Sequence, residues 1–211
     1  KGRRSPTVNQ TATSSSVIPE ENVWNYEGGI KGSSGILSGS LGVYYQKYSN
    51  FQVSRVISDP NDPSGRPVGS TVTESAGSAS NLGVEAELQL RPTDWLTVFG
   101  NVGWIDGGID DKPENGIYAG NRFRLQPEWQ AAGGFTIDAP LANGMRLFLT
   151  PSITYRSKIF FETTNRPEIA QGPVTLVNAK GGVSFAEDRF ELAAFVRNLT
   201  NKNYLLDAGN T

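Results

Sequence analysis

An all-β fold, an antiparallel up-and-down transmembrane β-barrel wall, is what this sequence predicts. Three observations carry that expectation. Apolar residues recur at every second position, several of these stretches outrun the strands of soluble sheets, and the connections between them alternate short and long. In the clearest stretch Val84, Ala86, Leu88 and Leu90 stand on one side and Gly83, Glu85, Glu87, Gln89 and Arg91 on the other. A period of two sends successive side chains to opposite faces of a strand, so the two faces meet different surroundings.

Composition narrows the function. The 211 residues hold 19 Lys+Arg against 21 Asp+Glu, a net charge of −2 with no basic stripe, which excludes a nucleic-acid footprint. The chain has no Cys and no His. Disulfides, thiolate metal sites and the usual general base are therefore absent, and a Ser–His hydrolase is excluded. We expect no enzyme activity, no cofactor and no metal site. The opening KGRRSPTVNQTATSSS lacks the apolar core of a signal peptide, and no run of 18 apolar residues exists. A β-barrel escapes the second test.

The elements follow in order. Residues 1–22 read as loop, rich in Ser, Thr, Asn and Pro. The first strand is 23–32, followed by a tight Gly/Ser turn at 33–38. The second is 38–56, with Leu41, Val43, Tyr45, Phe51 and Val53 alternating with Ser40, Gly42, Gln46, Asn50 and Gln52. A loop rich in Pro, Asp, Gly and Ser covers 57–79. The third strand, 80–91, turns at Pro92-Thr93-Asp94 into the fourth, 95–106, and the loop 107–121 follows. The fifth, 122–138, alternates Phe123, Leu125, Trp129, Phe135 and Ile137 with Arg124, Gln126, Glu128, Gln130, Thr136 and Asp138. The turn 139–144, the sixth strand 144–161, the loop 162–173, the seventh strand 174–186, the turn 187–188 and the eighth strand 189–198 complete the meander. Residues 199–211 begin a further connection.

Each strand is long enough to cross a bilayer at a tilt, which takes about 9–11 residues. The polar faces are crowded with Gly, Glu, Gln and Arg, which suits a wet or plugged lumen better than a sandwich exterior. Aromatics gather at strand ends. Trp24, Tyr26, Trp95, Phe185 and Phe190 fall by the short turns in this reading, and Tyr48, Trp104, Tyr118, Phe123, Tyr155, Phe160 and Phe161 towards the long loops. Two aromatic girdles fit a membrane barrel. Lys47 falls in the apolar register, close to the far boundary, where a charge costs little. Short turns face the periplasm in such barrels and long loops the exterior. By that rule the first strand starts outside and the eighth ends outside, so the chain is expected to be part of a larger barrel. Two other readings stay open: a self-contained eight-stranded barrel of structural or adhesin type, and a soluble lipocalin-like binding module.

The stretch VWNYEGGIKG…LSGSLGVYYQKYSNFQV resembles the barrel of TonB-dependent outer-membrane receptors. NLGVEAELQLRPTDWLTVFGNVGWID is similar to a later hairpin of that family, with Gly83, Glu85, Glu87, Pro92 and Leu96 in the expected places. GNRFRLQPEWQAAGGF and FVRNLTNKNYL resemble two further segments in the right order, so the likeness runs over 23–205. It implies a plugged barrel of about 22 strands, of which this chain supplies about eight near the C-terminal end. It also implies an outer-membrane location and TonB-energised uptake of a siderophore, cobalamin or carbohydrate. The implied partners are membrane lipid, a plug domain, TonB and a small ligand. In that frame residues 1–22 are an extracellular loop, 23–198 a partial barrel and 199–211 the start of the final extracellular loop.

Candidate ligand-facing residues follow from the polar register: Glu85, Glu87, Gln89, Arg124, Gln126, Glu128 and Gln130. Arg146, Arg156, Lys180, Glu191 and Arg197 share the lumen side and are expected mostly to pair with one another or with a plug. Glu85 and Glu87 have a spacing compatible with paired-carboxylate chemistry but read as lumen lining. Asp106, Asp110, Asp111 and Glu114 offer oxygen ligands, yet their loop fails the calcium-loop pattern and reads as a solvated acidic segment.

Overall fold

The computed structural model describes residues 1–10 and 15–208. Residues 11–14 and 209–211 lie outside them, and with them parts of the two expected terminal loops. The strands are β1 (Gly2–Arg4), β2 (Thr7–Gln10), β3 (Ser15–Ile18), β4 (Glu21–Ser34), β5 (Leu37–Ser49), β6 (Gln52–Val56), β7 (Thr71–Ser75), β8 (Ala79–Thr93) and β9 (Leu96–Ile109). They continue with β10 (Trp129–Pro140), β11 (Arg146–Arg156), β12 (Ile159–Phe160), β13 (Ala170–Gln171), β14 (Val174–Phe185) and β15 (Phe190–Val196).

One antiparallel sheet of nine strands, ordered β1-β4-β5-β8-β9-β10-β11-β14-β15, holds every long element. Its neighbours are joined by hairpins in sequence order, apart from the excursions that build the loops, so the sheet is an up-and-down wall. It does not close: β1 covers only Glu21–Val23 of β4, and β15 has one neighbour. The open edges argue against a self-contained eight-stranded barrel. Two-stranded ribbons β2-β3, β6-β7 and β12-β13 stand apart from the wall.

Four boundaries differ from the sequence-based expectation. Residues 1–22 are not plain loop, since β1 adds a ninth strand and β2-β3 is a hairpin. The stretch 38–56 breaks at Asn50, whose φ of 55° lies in the left-handed region and turns the chain into β6. The stretch 144–161 pairs with the wall only to Arg156, and Ile159–Phe160 pairs with β13. The fifth strand starts at Trp129 rather than 122. Leu125 has φ 60°, and Pro127 has no amide to donate, so the ladder is interrupted over 124–127, with Arg122 bridging Gly108 before the break and the Glu128 carbonyl taking the Ile105 amide after it. The alternation seen there at 123–126 is accidental.

The register places the two faces as the alternation requires. Level with one another on one face stand Ile30, Leu41, Ala86, Val102, Ala131 and Tyr155. This outward face is unburied: Ile30 is 73% exposed, Leu88 50% and Leu192 70%. A soluble module would turn that face inward, so the lipocalin-like reading does not hold. Trp24 pairs with Lys47 at the end of β4 away from the short turn, which corrects the assignment of Trp24 and Tyr26 to the turn side. The outer girdle is Trp24, Tyr26, Tyr45, Trp104, Trp129 and Tyr155, all outward. Tyr48, Tyr118, Phe123 and Phe161 are not part of it. They pack inside the loop cluster, where Val53, Ile57, Val72, Ala76, Ala79 and Ile109 are also buried. The buried apolar core therefore lies at the loop end, not within the wall.

Candidate functional site

On the inward face Gly42, Glu85, Gly103, Gln130 and Arg156 stand in one row across five strands. The next row holds Ser40, Glu87, Asn101, Ala132 and Thr154, and the one beyond it Ser38, Gln89 and Phe99. The alternation thus brings Glu85, Glu87, Gln89 and Gln130 together on one face. Gln130 leans over Gly103, where an added Cβ would meet its Cγ at 3.3 Å. Glu85, Glu87, Asn101, Gln130, Thr154 and Arg156 border a cavity of about 470 Å³ closed on one side by Tyr204 and Leu206.

Residues 124–128 precede β10 rather than forming its start, and of the three candidates there Arg124 is the one drawn away from the inward face. Arg124 points into a separate cavity of about 420 Å³ among the loops, shared with Arg55, Tyr118, Glu162, Arg166 and Asp207. Its closest carboxylate is Asp207 at 4.0 Å. Glu128 pairs with Arg122 at 3.4 Å, and its carbonyl accepts the Ile105 amide. Gln126 Oε1 and Asn81 Oδ1 both crowd the space over Gly107, and both are buried without a protein partner. Asn81 donates to Gln46 Oε1 at 3.0 Å, and the Tyr48 hydroxyl donates to the same oxygen at 3.0 Å. Gln46 shares the polar register with Gly42 in the sequence, and the structure adds Tyr44, Tyr48 and Asn81 to it on the inward face.

Of the other inward charges, Arg146, Lys180 and Glu191 form ion pairs, whereas Arg156 meets the Leu205 carbonyl and Arg197 the Phe195 ring. Arg146 bonds Asp138 at 3.0 Å and faces Asp188 at 3.6 Å, and Lys180 meets Glu191 at 3.4 Å. Among the described residues, no three acidic side chains converge on a metal-sized site. Asp110 instead accepts from Ser80 and from Lys112. Burial opposes its ionisation, but hydrogen bonds from Ser78, Lys112 and Ser80 outweigh that and lower its pKa.

The loop cluster carries the strongest polar network. Arg55 grips Asp62 with two nitrogens at 2.6 and 3.2 Å and donates Nε to Glu74 at 3.0 Å. Tyr118 donates its hydroxyl to the same Glu74 oxygen. The Arg55 hydrogen bonds hold Asp62 well below the usual carboxylate range, helped by the Ser64 amide. Burial, then the bond to Glu74, pushes the Tyr118 phenol up. This network ties the β6-β7 ribbon to the 3₁₀ turn Pro113–Tyr118. Nothing local in the sequence marks it, since its members lie far apart in the chain. A second clamp joins 122 to 165: the Arg122 amide donates to Asn165 Oδ1 at 2.7 Å, and Asn165 Nδ2 donates to the Arg122 carbonyl at 2.9 Å.

A family model described as "TonB dependent receptor-like, beta-barrel" matches residues 1–199. Among solved structures, the ferric yersiniabactin uptake receptor of Yersinia pestis is similar, with a TM-score of 0.76 at 19% identity over 96% of this chain and 29% of that one. The ferric preacinetobactin receptor of Acinetobacter baumannii gives 0.66 at 22% identity, over 90% of this chain and 27% of the receptor. The ferric citrate transporter in its unliganded form gives 0.65 at 17%, over 88% and 27%. At these identities the likeness is one of fold. The chain spans less than a third of each of these receptors. No curated protein sequence matches it.

Proposed function

The chain belongs to the TonB-dependent receptor β-barrel family, and we propose that it forms part of the wall of an outer-membrane receptor that imports a scarce small ligand, a ferric siderophore before cobalamin or a carbohydrate. One observation carries this reading: the exposed apolar face and the charged inward face are opposite sides of a single sheet. Such a sheet is satisfied when lipid covers the first and a lumen faces the second. In the loop-cluster cavity Arg55 and Arg166 are held by carboxylates, and Arg124, with Asp207 at 4.0 Å, is the cation best placed to meet an anionic chelate arriving from outside. The named solved relatives are all described as handling ferric ligands, which supports the iron reading. In this reading Glu85, Glu87, Gln89 and Gln130 meet a plug domain or the passing ligand, and TonB supplies the energy through that plug. Orientation follows: the turns near 35, 94, 143 and 187 face the periplasm.

The test is uptake. A strain lacking the gene should fail to grow when a ferric siderophore is its sole iron source, and the intact gene should restore growth only where TonB is present. Unimpaired growth on every ferric siderophore offered would remove the iron assignment. Recovery of the protein without detergent would remove the membrane reading itself.

A further inference from the structure

A single step of the chain joins the two cavities. Tyr204 and Leu206 border the lumen cavity of about 470 Å³, and Asp207 and Ala208 border the loop cavity of about 420 Å³. Residues 203–208 therefore form a strap that runs from one to the other over the inward face.

The strap is held unevenly along its length. Behind it stands a firm turn. The Leu199 amide donates to the Val177 carbonyl, and the Asn198 amide to Asn178 Oδ1. Asn198 Oδ1 accepts the Lys202 amide at 2.8 Å, and its Nδ2 donates to the Lys202 carbonyl at 3.0 Å. In the middle, Leu205 is gripped at both backbone groups, by Gln171 Oε1 and by Arg156 Nη2. At the far end the hold is loose: Asp207 Oδ1 lies 4.0 Å from Arg124 Nη2, with the two side chains 69% and 49% exposed. Leu205 and Leu206 are themselves exposed, so little apolar packing pins this end.

The loose pair involves the cation that an incoming anion meets. In the loop cavity Arg55 is taken by Asp62 and Glu74, and Arg166 by Glu162. An ion pair as exposed as Arg124–Asp207 is weak, so an anionic ligand can take over the guanidinium.

We propose that residues 203–208 are an anion-released strap. Asp207 occupies Arg124 until an anionic ligand replaces it, and the freed strap then withdraws Leu206 from the lumen cavity. Linkage makes the coupling reciprocal, so whatever loosens the strap also strengthens anion binding at Arg124. The proposal rests on the reading of this wall as part of a receptor for anionic chelates.

The test uses the detergent-solubilised receptor that carries this wall, with citrate as probe and chloride as control. Equal pH and ionic strength remove screening as a cause. The readout is residue-resolved hydrogen exchange at the Leu205 amide. Wild type should exchange about twofold faster in citrate, the size of effect an exposed pair allows. Asp207→Asn should show the faster exchange already in chloride, with no further rise in citrate. Arg124→Gln should do the same and lose citrate binding. Arg156→Ala should exchange a few-fold faster and bind citrate more tightly by that same factor, although a positive charge has been removed. Exchange across β15 should stay constant throughout, which separates release of the strap from unfolding. Citrate that slows Leu205 exchange or leaves it unchanged overturns the strap, as does an Asp207→Asn variant that exchanges like wild type. If ferric uptake is intact while the strap fails these tests, the strap alone is wrong. If citrate releases the strap in a receptor that takes up no ferric chelate, the iron reading is wrong instead.

Discussion

The Tyr44 ring lies across Gly83 on the neighbouring strand: a Cβ on that glycine would stand 2.2 Å from Tyr44 Cζ. The glycine therefore provides the space that the ring fills. Gly83→Ala should force the ring aside and destabilise the wall by about 1–3 kcal/mol. The urea midpoint of the detergent-folded receptor measures this. Pairing the change with Tyr44→Ala should recover part of the loss, because the two residues share one space. Strict additivity would count against the contact.

Leu88 and Gln89 are adjacent in sequence and opposite in fate. Leu88 lies between Gly39 and Gly100 on the outward face, and Gln89 between Ser38 and Phe99 on the inward one. Leu88→Arg should cost about 2–4 kcal/mol in membrane assembly, while Gln89→Arg stays near zero. Refolding into lipid vesicles measures both. Equal costs would mean that the faces have been assigned the wrong way round.

Acid and alkali should loosen the loop cluster by different routes. The folded Asp62 carboxyl titrates below its unfolded value of about 3.9, so the Arg55–Asp62 contribution is complete above about pH 4 and is lost as pH falls through the folded pKa. Pepsin nicking of β6-β7 should rise as pH drops below about 4, and Asp62→Asn should nick readily even where wild type resists. Tyr118 shifts the other way. Its contribution is complete below about pH 10, the unfolded value, and is lost as pH climbs through the raised folded pKa. The absorbance difference between wild type and Tyr118→Phe should show no phenolate until well above pH 10. A normal titration would remove the buried bond to Glu74.

Arg156 holds the segment after β15 against the inward face. Its Nη2 donates to the Leu205 carbonyl at 3.2 Å, its guanidinium lies 5.6 Å from the Tyr204 ring, and Gln171 Oε1 accepts the Leu205 amide at 2.7 Å. Arg156→Ala should weaken this seat by about 0.5–1 kcal/mol and raise hydrogen exchange across 203–208 a few-fold. Unchanged exchange would show that Gln171 alone suffices.

How much was legible varies with the range of the interaction involved. The 84–90 stretch could be read because one residue's parity decides its face once a strand exists, and the ladder carries that parity from β4 to β15. The same logic misled at 122–128, where alternation continues through residues that a left-handed Leu125 and Pro127 take off the strand. Arg124 consequently points into the loop cavity, while Gln126 still covers the inward Gly107 and the Glu128 carbonyl still takes the Ile105 amide of β9. Tyr48 has the parity of an inward residue, but as an aromatic near a strand end it reads as part of the girdle.

The order of strands, the two faces, the short turns and the polar residues at 85, 87, 89 and 130 follow from the sequence by itself, because each depends on local periodicity and hairpin connection. Only the tertiary structure decided that the loops fold into a core around Ile57 and Phe161, that Arg55 and Tyr118 meet at Glu74, and that the Lys1 ammonium lies over the Trp24 ring. These contacts join residues tens of positions apart through loop closures that no periodicity encodes.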